Sequence, residues 1–386
     1  MDVPNSASSS QVVMNRDLPS RGFVCAVIAF TMMGFTSSCW GTMLPWIVDR
    51  TGISISKSGL ILAAFTFHTL VGTLLVQFFV KHRDLNWFIR RGIVVTLIGF
   101  IGVVTAQNLL LLTFSGCVAG LGYGATGVSL LQLLNRSSNA SHRRMNLASA
   151  ATGFGALAGP FTIGTVGSTH LPLIVISAIG TAFIATRFLS GATWRVEIFR
   201  DSSQTRGNHA RLAIVLLAVI CYSGLENSIG SWLPTIIRKS DGTLEAAALS
   251  GAFFYFFFTI GRFIGVFMSK RLEPHSIILL CITSTFIPFT FAVTNEGKAS
   301  LGLAFCGLCL GPIFPNVSSW VARKTPGFPM ATTATMLAIM LGGFLFPPTL
   351  GFMLERHGIS GYLLTLSALL LASTSFFTYS YAKWRS

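Results

Sequence analysis

The sequence predicts an all-α integral membrane protein, with twelve transmembrane helices arranged as two pseudo-symmetric six-helix bundles. Three observations carry this: depletion of charge, recurring apolar runs of spanning length, and an internal repeat. Of 386 residues, 52% are hydrophobic and only 10% are charged, and mean hydropathy is +0.68. A soluble domain carries about 25% charged residues, so lipid is the main solvent for this chain. Apolar runs suited to a hydrocarbon core of roughly 30 Å cover 22–48, 58–80, 92–107, 109–134, 147–167, 171–188, 212–237, 247–269, 275–294, 299–322, 331–352 and 361–382. Each is expected to be a helix, because lipid offers backbone polar groups no outside partner.

The repeat divides these spans in two. Gly41-Thr-Met-Leu-Pro-Trp-Ile-Val closes the first, and Gly230-Ser-Trp-Leu-Pro-Thr-Ile-Ile closes the seventh, 189 residues later. The same offset pairs Gly72 with Gly261, Phe78 with Phe267 and Lys81 with Lys270. Gly120 and Gly124 pair with Gly307 and Gly311 at an offset of 187, and Pro160 with Pro348 at 188. Such spacing reads as two parallel repeats. The expected organisation is a disordered, Ser-rich cytoplasmic tail over 1–20, a first bundle over 21–188, a cytoplasmic linker over 189–211 and a second bundle over 212–386. An even number of helices between equivalents gives both bundles one orientation. They then share a cleft near the bilayer midplane, lined by helices 1, 4, 7 and 10 and exposed to each side in turn by rocking. Gly116, Gly120 and Gly124 put small residues on one face of helix 4 for close packing. Pro315 and Pro347-Pro348 are expected to bend or break their helices.

A net charge of +15 raises nucleic acid as a partner, and the positions of the charges dismiss it. With the N-terminus inside, twenty of the 27 lysines and arginines fall on the cytoplasmic side. Six fall outside (Arg50, Lys57, Arg238, Lys239, Lys298, Arg356), and Arg262 lies within a span. This positive-inside bias puts both termini in the cytoplasm of a multi-pass protein of the cell (inner or plasma) membrane. The seven cysteines all fall in spans, which argues against a disulfide framework. Cys306 and Cys309 form a CxxC without a second ligand pair and read as packing residues rather than metal ligands. Gly122–Gly127 spells GxGxxG, but inside helix 4 with no preceding strand it cannot cradle a dinucleotide. No phosphate-binding GxxxxGK[ST] occurs. The chain is expected to be no enzyme and to use no cofactor or metal. Its expected partners are a small-molecule solute, protons and the lipid bilayer, with the chain acting as a monomer.

Candidate chemistry concentrates in the second bundle. Glu226 is the one acid deep in a span, near the midpoint of helix 7. A carboxylate there costs several kcal/mol unless it is paired, hydrated or protonated, and reversible protonation suits proton coupling. Arg262 on helix 8 could pair with Glu226, hold an anionic substrate, lock a gate or snorkel toward headgroups. His68 in helix 2 titrates in the range for proton coupling, or is a satisfied structural histidine. Tyr222 lies one turn before Glu226, and Asn227 follows it. Together with Asn316, Trp40 and Tyr123 they could give a solute hydrogen bonds and flat apolar surface, or serve as packing.

With these residues in view, the sequence resembles the major facilitator superfamily over essentially its whole length. Lys81-His-Arg-Asp-Leu-Asn-Trp-Phe-Ile-Arg-Arg91 occupies the place of the family's signature loop, with Asp84, Arg90 and Arg91 as its gating charges. Gly155-Ala-Leu-Ala-Gly-Pro160 is similar to a glycine-proline motif of antiporters. Tyr222-Ser-Gly-Leu-Glu-Asn-Ser-Ile-Gly-Ser-Trp-Leu233, Ile260-Gly-Arg-Phe-Ile-Gly265, Ile313-Phe-Pro315 and Gly342-Gly343 with Pro347-Pro348 resemble the fucose-galactose-glucose proton symporter group, where Glu226 and Arg262 match retained positions. Group members also carry acids in helices 1 and 4, and this chain has neither. The resemblance implies secondary active transport of a small organic solute, such as a sugar, by alternating access and proton symport. The alternative is an efflux antiporter for amphipathic compounds, favoured by the glycine-proline motif and 12% aromatic residues. A sensor without flux would call for a large cytoplasmic domain.

Overall fold

The computed structural model describes residues 19–80, 84–136, 142–187, 209–240, 242–325 and 330–385. Residues 1–18 of the expected tail, 189–208 of the expected linker, and Lys81 lie outside the described residues. The helices are α1 Ser20–Thr51, α2 Ile55–Phe79, α3 Leu85–Thr105, α4 Leu109–Arg136, α5 His142–Val166, α6 Leu171–Arg187 and α7 His209–Lys239. They continue with α8 Leu244–Met268, α9 Pro274–Ser284, α10 Phe286–Thr294, α11 Ala299–Leu310, α12 Ile313–Lys324 and α13 Met330–Arg385. No strand occurs among the described residues.

Among the described residues, ten stretches are long and apolar enough to cross a membrane. The last, Ala334–Lys383, holds two helices joined at Gly358, whose φ of 66° is a left-handed conformation open to glycine. α5 supplies a further 25-residue helix. α9 with α10, and α11 with α12, each form one interrupted stretch, so the order agrees with twelve crossings. Large apolar side chains face outward, among them Leu110, Phe78, Ile287 and Leu364, as lipid requires of a helix surface.

The proline expectations divide. The stretch formed by α11 and α12 breaks at Gly311-Pro312 rather than at Pro315, which lies in the first turn of α12. A missing N–H costs little there, because first-turn donors have no intrahelical acceptor. Pro347 and Pro348 sit inside a continuous part of α13. Packing on both sides holds them: Trp232 Nε1 donates to the Pro347 carbonyl at 2.7 Å, and Pro348 lies against Gly59 of α2.

The repeat seen in sequence recurs in the packing. A Cβ on Gly120 would strike the Phe65 carbonyl, and one on the equivalent Gly307 would meet that of Phe254, 189 residues beyond Phe65. Gly72 against Leu121 is matched by Gly261 against Leu308, and Gly124 against Thr69 by Gly311 against Phe258. Small residues therefore set the α2–α4 and α8–α11 crossings in the same register. The halves meet where α1 packs on α7, α2 on α13 and α5 on α8. Helix parity gives the molecule a terminal end, carrying Ser20 and Arg385, and an opposite loop end, carrying Thr51, Lys239 and Gly358.

Candidate functional site

At the loop end the seam between the halves is shut. A Cβ on Gly41 would lie 2.7 Å from the Gly230 carbonyl oxygen, its own repeat equivalent, and 3.3 Å from Pro234. Gly251 of α8 meets Pro234 and Pro160, and Gly164 of α5 meets Leu249. Three polar contacts cross the seam above them. Arg238 Nε donates to Asp49 Oδ2 at 2.8 Å, the Ser56 N–H donates to Glu355 Oε2 at 2.6 Å, and the Ser168 N–H donates to Glu245 Oε1 at 2.9 Å.

These contacts obey the repeat. Asp49 and Arg238 are 189 residues apart, so their pair joins equivalent positions across the pseudo-twofold axis. Ser56 and Glu245 share that offset, and Ser168 and Glu355 are 187 apart, so the two flanking contacts exchange with one another. In both, a second-half carboxylate accepts from a first-half N–H at a helix start, where orphan donors and the helix dipole favour a negative partner. None of these six residues was expected from sequence. The available signal was opposite charge, or a carboxylate against a serine, at positions paired by the repeat.

At the terminal side the seam opens into a cavity of about 420 Å³. Gly153 of α5 lines one wall, Thr259, Arg262 and Ser269 of α8 another, and Asn316 and Ser319 of α12 a third. Arg262 packs its guanidinium 4.6 Å from the Phe258 ring centroid, and its buried Nε has no hydrogen-bond partner among the described residues. Asn316 is buried, its amide nitrogen donating to the Pro312 carbonyl at 2.8 Å. The break at Gly311-Pro312 ends α11 and starts α12 beside this wall, which aims Asn316 and Ser319 into the space.

Glu226 is half-buried on α7. Its carboxyl lies near the Tyr222 hydroxyl, with Arg262 in electrostatic reach. The Tyr222 hydroxyl donates its hydrogen to the Leu310 carbonyl at 3.2 Å, tying α7 to the end of α11. Asn227 is turned to its own helix, donating to the Ser223 carbonyl and hydroxyl.

The first-half candidates are placed differently. Trp40 is 2% exposed, with its ring centroid 4.9 Å from that of Phe65 and 5.4 Å from that of Phe100. Tyr123 donates to the Met33 carbonyl at 3.2 Å and borders a cavity of only about 20 Å³, room for roughly one water. His68 Nδ1 lies 2.9 Å from the Ala64 carbonyl of its own helix. Asp84 caps the start of α3, its carbonyl accepting from the Trp87 and Phe88 N–H groups. Arg90 donates to the Arg187 carbonyl at 3.4 Å, and Arg91 lies over the Trp87 ring. The structure thus gathers Arg262, Tyr222 and Glu226, with Asn316 sharing the cavity of Arg262. Trp40, Tyr123 and His68 stay within the first half.

The family model of the Major Facilitator Superfamily matches residues 26–347. A putative glucose/galactose transporter of Helicobacter pylori (strain J99 / ATCC 700824) is 25% identical over 149 residues, covering 37% of this chain and 36% of that protein. Major facilitator superfamily domain-containing protein 4A of Xenopus tropicalis is 24% identical over 163 residues, 41% of this chain and 31% of that one. The match thus spans about a third of each relative. Among solved structures, a D-xylose-proton symporter aligns with a TM-score of 0.74 at 11% identity, covering 92% of this chain and 96% of its own. The transporter FucP in the outward conformation aligns at 0.62 and 16% identity, covering 93% and 98%; these likenesses show the fold. With the family model covering most of the sequence and the two-bundle architecture in place, the chain belongs to the Major Facilitator Superfamily and is a multi-pass membrane protein.

Proposed function

We propose that the chain moves a small polar organic solute of sugar size by proton-coupled symport, with both termini in the cytoplasm. The observation that carries this reading is the seam, shut at the loop end and opened at the other into a cavity bordered by Arg262 and Asn316. A seam closed at one end only is what one stage of alternating access requires. Glu226 is the proton carrier: it is the one acid midway along α7, and it lies within electrostatic reach of Arg262, the cavity's cation. A carboxylate that loses and regains its proton beside a fixed guanidinium changes the local charge, and that bias can be tied to solute occupancy. Asn316, Ser319 and Thr259 supply hydrogen-bonding groups of the kind that bind a hydroxylated solute. The sugar class draws support from the putative glucose/galactose transporter and the D-xylose-proton symporter among the similar proteins.

Uptake of radiolabelled glucose, galactose, xylose and fucose into proteoliposomes tests this, with an inward proton gradient imposed. The wild-type protein is expected to accumulate at least one of them. Glu226→Gln is expected to lose accumulation about tenfold while retaining solute exchange at equal pH. Gradient-driven accumulation by Glu226→Gln at the wild-type rate would remove Glu226 from coupling.

Export of amphipathic compounds is the second reading. Its support is the glycine-proline segment of α5, where Gly155 meets the Thr31 carbonyl and Pro160 borders Gly251 across the seam. Unchanged drug tolerance of a deletion strain over a broad panel would dismiss it.

A further inference from the structure

Away from the seam, a groove of about 620 Å³ opens sideways between α2 and α3 over α4, near the terminal end. Leu75, Phe79 and Trp87 form its rims and are exposed. Its floor is low because glycines bring the backbones together: a Cβ on Gly72 would strike the Leu121 carbonyl, and one on Gly122 the Gly92 carbonyl. Large rims over a glycine floor leave a trough rather than a flat helix surface.

Among the described residues, Arg91 is the one charged residue in the lining. It lies six residues into α3, about 9 Å from the helix start at 1.5 Å per residue, within reach of the headgroup layer for so long a side chain. Its guanidinium rests 5.7 Å from the Trp87 ring centroid, and it forms no ion pair among the described residues. Arg90 is directed elsewhere, to the Arg187 carbonyl. Among the described residues, the groove therefore has an apolar length and one unpaired cation, Arg91, at its outer end. A soluble anion would match the cation and leave the trough unfilled, whereas a neutral acyl chain would do the reverse.

We propose that the groove holds one anionic glycerophospholipid, its phosphate on Arg91 and an acyl chain laid along Phe79, Leu75 and Val95. Guanidinium offers a phosphate two parallel donors, and basic pockets between helices on the cytoplasmic side suit anionic headgroups.

Native mass spectrometry of the purified full chain, offered phosphatidylglycerol and phosphatidylcholine in equal amounts, tests this. The wild-type protein is expected to retain one phosphatidylglycerol in preference. Arg91→Gln is expected to lower that retention at least fivefold with phosphatidylcholine binding unchanged, which also reports an intact fold. Arg91→Lys is expected to keep part of the preference, and Leu75→Trp, which fills the trough, to reduce both lipids. Wild-type phosphatidylglycerol retention in Arg91→Gln, or unchanged retention in Leu75→Trp, would overturn the proposal. So would displacement of the lipid by glycerol 3-phosphate at equal concentration, because that assigns Arg91 to a soluble anion.

Discussion

The two ends of the seam are built from the same repeat and behave differently. At the loop end, equivalent residues meet across the pseudo-twofold axis: Gly41 against Gly230, and Asp49 against Arg238. At the terminal side the lining comes mostly from the second half, with Arg262 opposite Gly153 and Ala150 of α5. Arg262 has Thr73 as its first-half equivalent, and Glu226 has Ser37. Symmetry therefore serves closure, because a self-complementary surface can be built from two copies of one pattern. Chemistry sits where the copies have diverged.

The largest test of that contrast is steric. Gly41→Leu places a branched side chain where even a Cβ would lie 2.7 Å from the Gly230 carbonyl. Backbone cannot yield as a flexible side chain does, and overpacking of this kind costs roughly 1–3 kcal/mol. A bias of that size shifts a two-state population about five- to 150-fold. Spin labels at Gly52 and Ser240 are expected to move apart in Gly41→Leu, with the loop end opening. An unchanged distance distribution would mean that the glycine contact does not hold this end shut.

The two flanking contacts come next. Glu245→Ala and Glu355→Ala each remove a carboxylate from a helix-start N–H of the other half. Loss of a capping acceptor costs about 0.5–2 kcal/mol, and exposure at this surface points to the low end. Since the repeat exchanges the two contacts, the single variants are expected to open the loop end to a similar extent, and the double variant by nearly the sum. A single variant that opens it as far as the double would show one contact, not a symmetric pair, holding the seam.

How legible this was follows the same division. Span positions and the repeat could be read because lipid forces helices and because glycine crossings such as Gly120 with Gly307 must persist for backbones to touch. Glu226 and Arg262 stood out because charge in a span is costly. Trp40 and Tyr123 were candidates on residue type alone; the structure turns them toward Phe65, Phe100 and Met33, since an aromatic ring reads alike whether it lines a cleft or fills a bundle. Pro312 and Pro315 both lie inside the run 299–322, so helix position alone did not choose where it breaks; in the structure Pro312 caps α12 and Pro315 sits in its first turn. The contacts at the loop end were hidden because serine and glutamate there look like ordinary surface residues. Only their repeat-related positions bring them together.

The smallest expected effect belongs to the pair on the axis. Asp49 and Arg238 are 34% and 40% exposed, and an exposed ion pair is worth about 0.2–1 kcal/mol, less at high salt. Arg238→Asp puts two acids together, whereas Asp49→Arg with Arg238→Asp restores opposite charges in reversed order. Because the positions are repeat equivalents, their backbones stand in matching environments, and the exchange is expected to rescue most of the closure lost in the single variant. One feature is not symmetric: Arg238 also donates to the Gly242 carbonyl at 3.0 Å, and the guanidinium moved to position 49 by the exchange would have to find another acceptor. Rescue is therefore expected to be incomplete, and the remaining gap should persist in about 1 M salt, where the charge pair itself is screened. Full loss in the swapped protein at low salt would show that the axis contact depends on Arg238's own setting and not on the twofold relation.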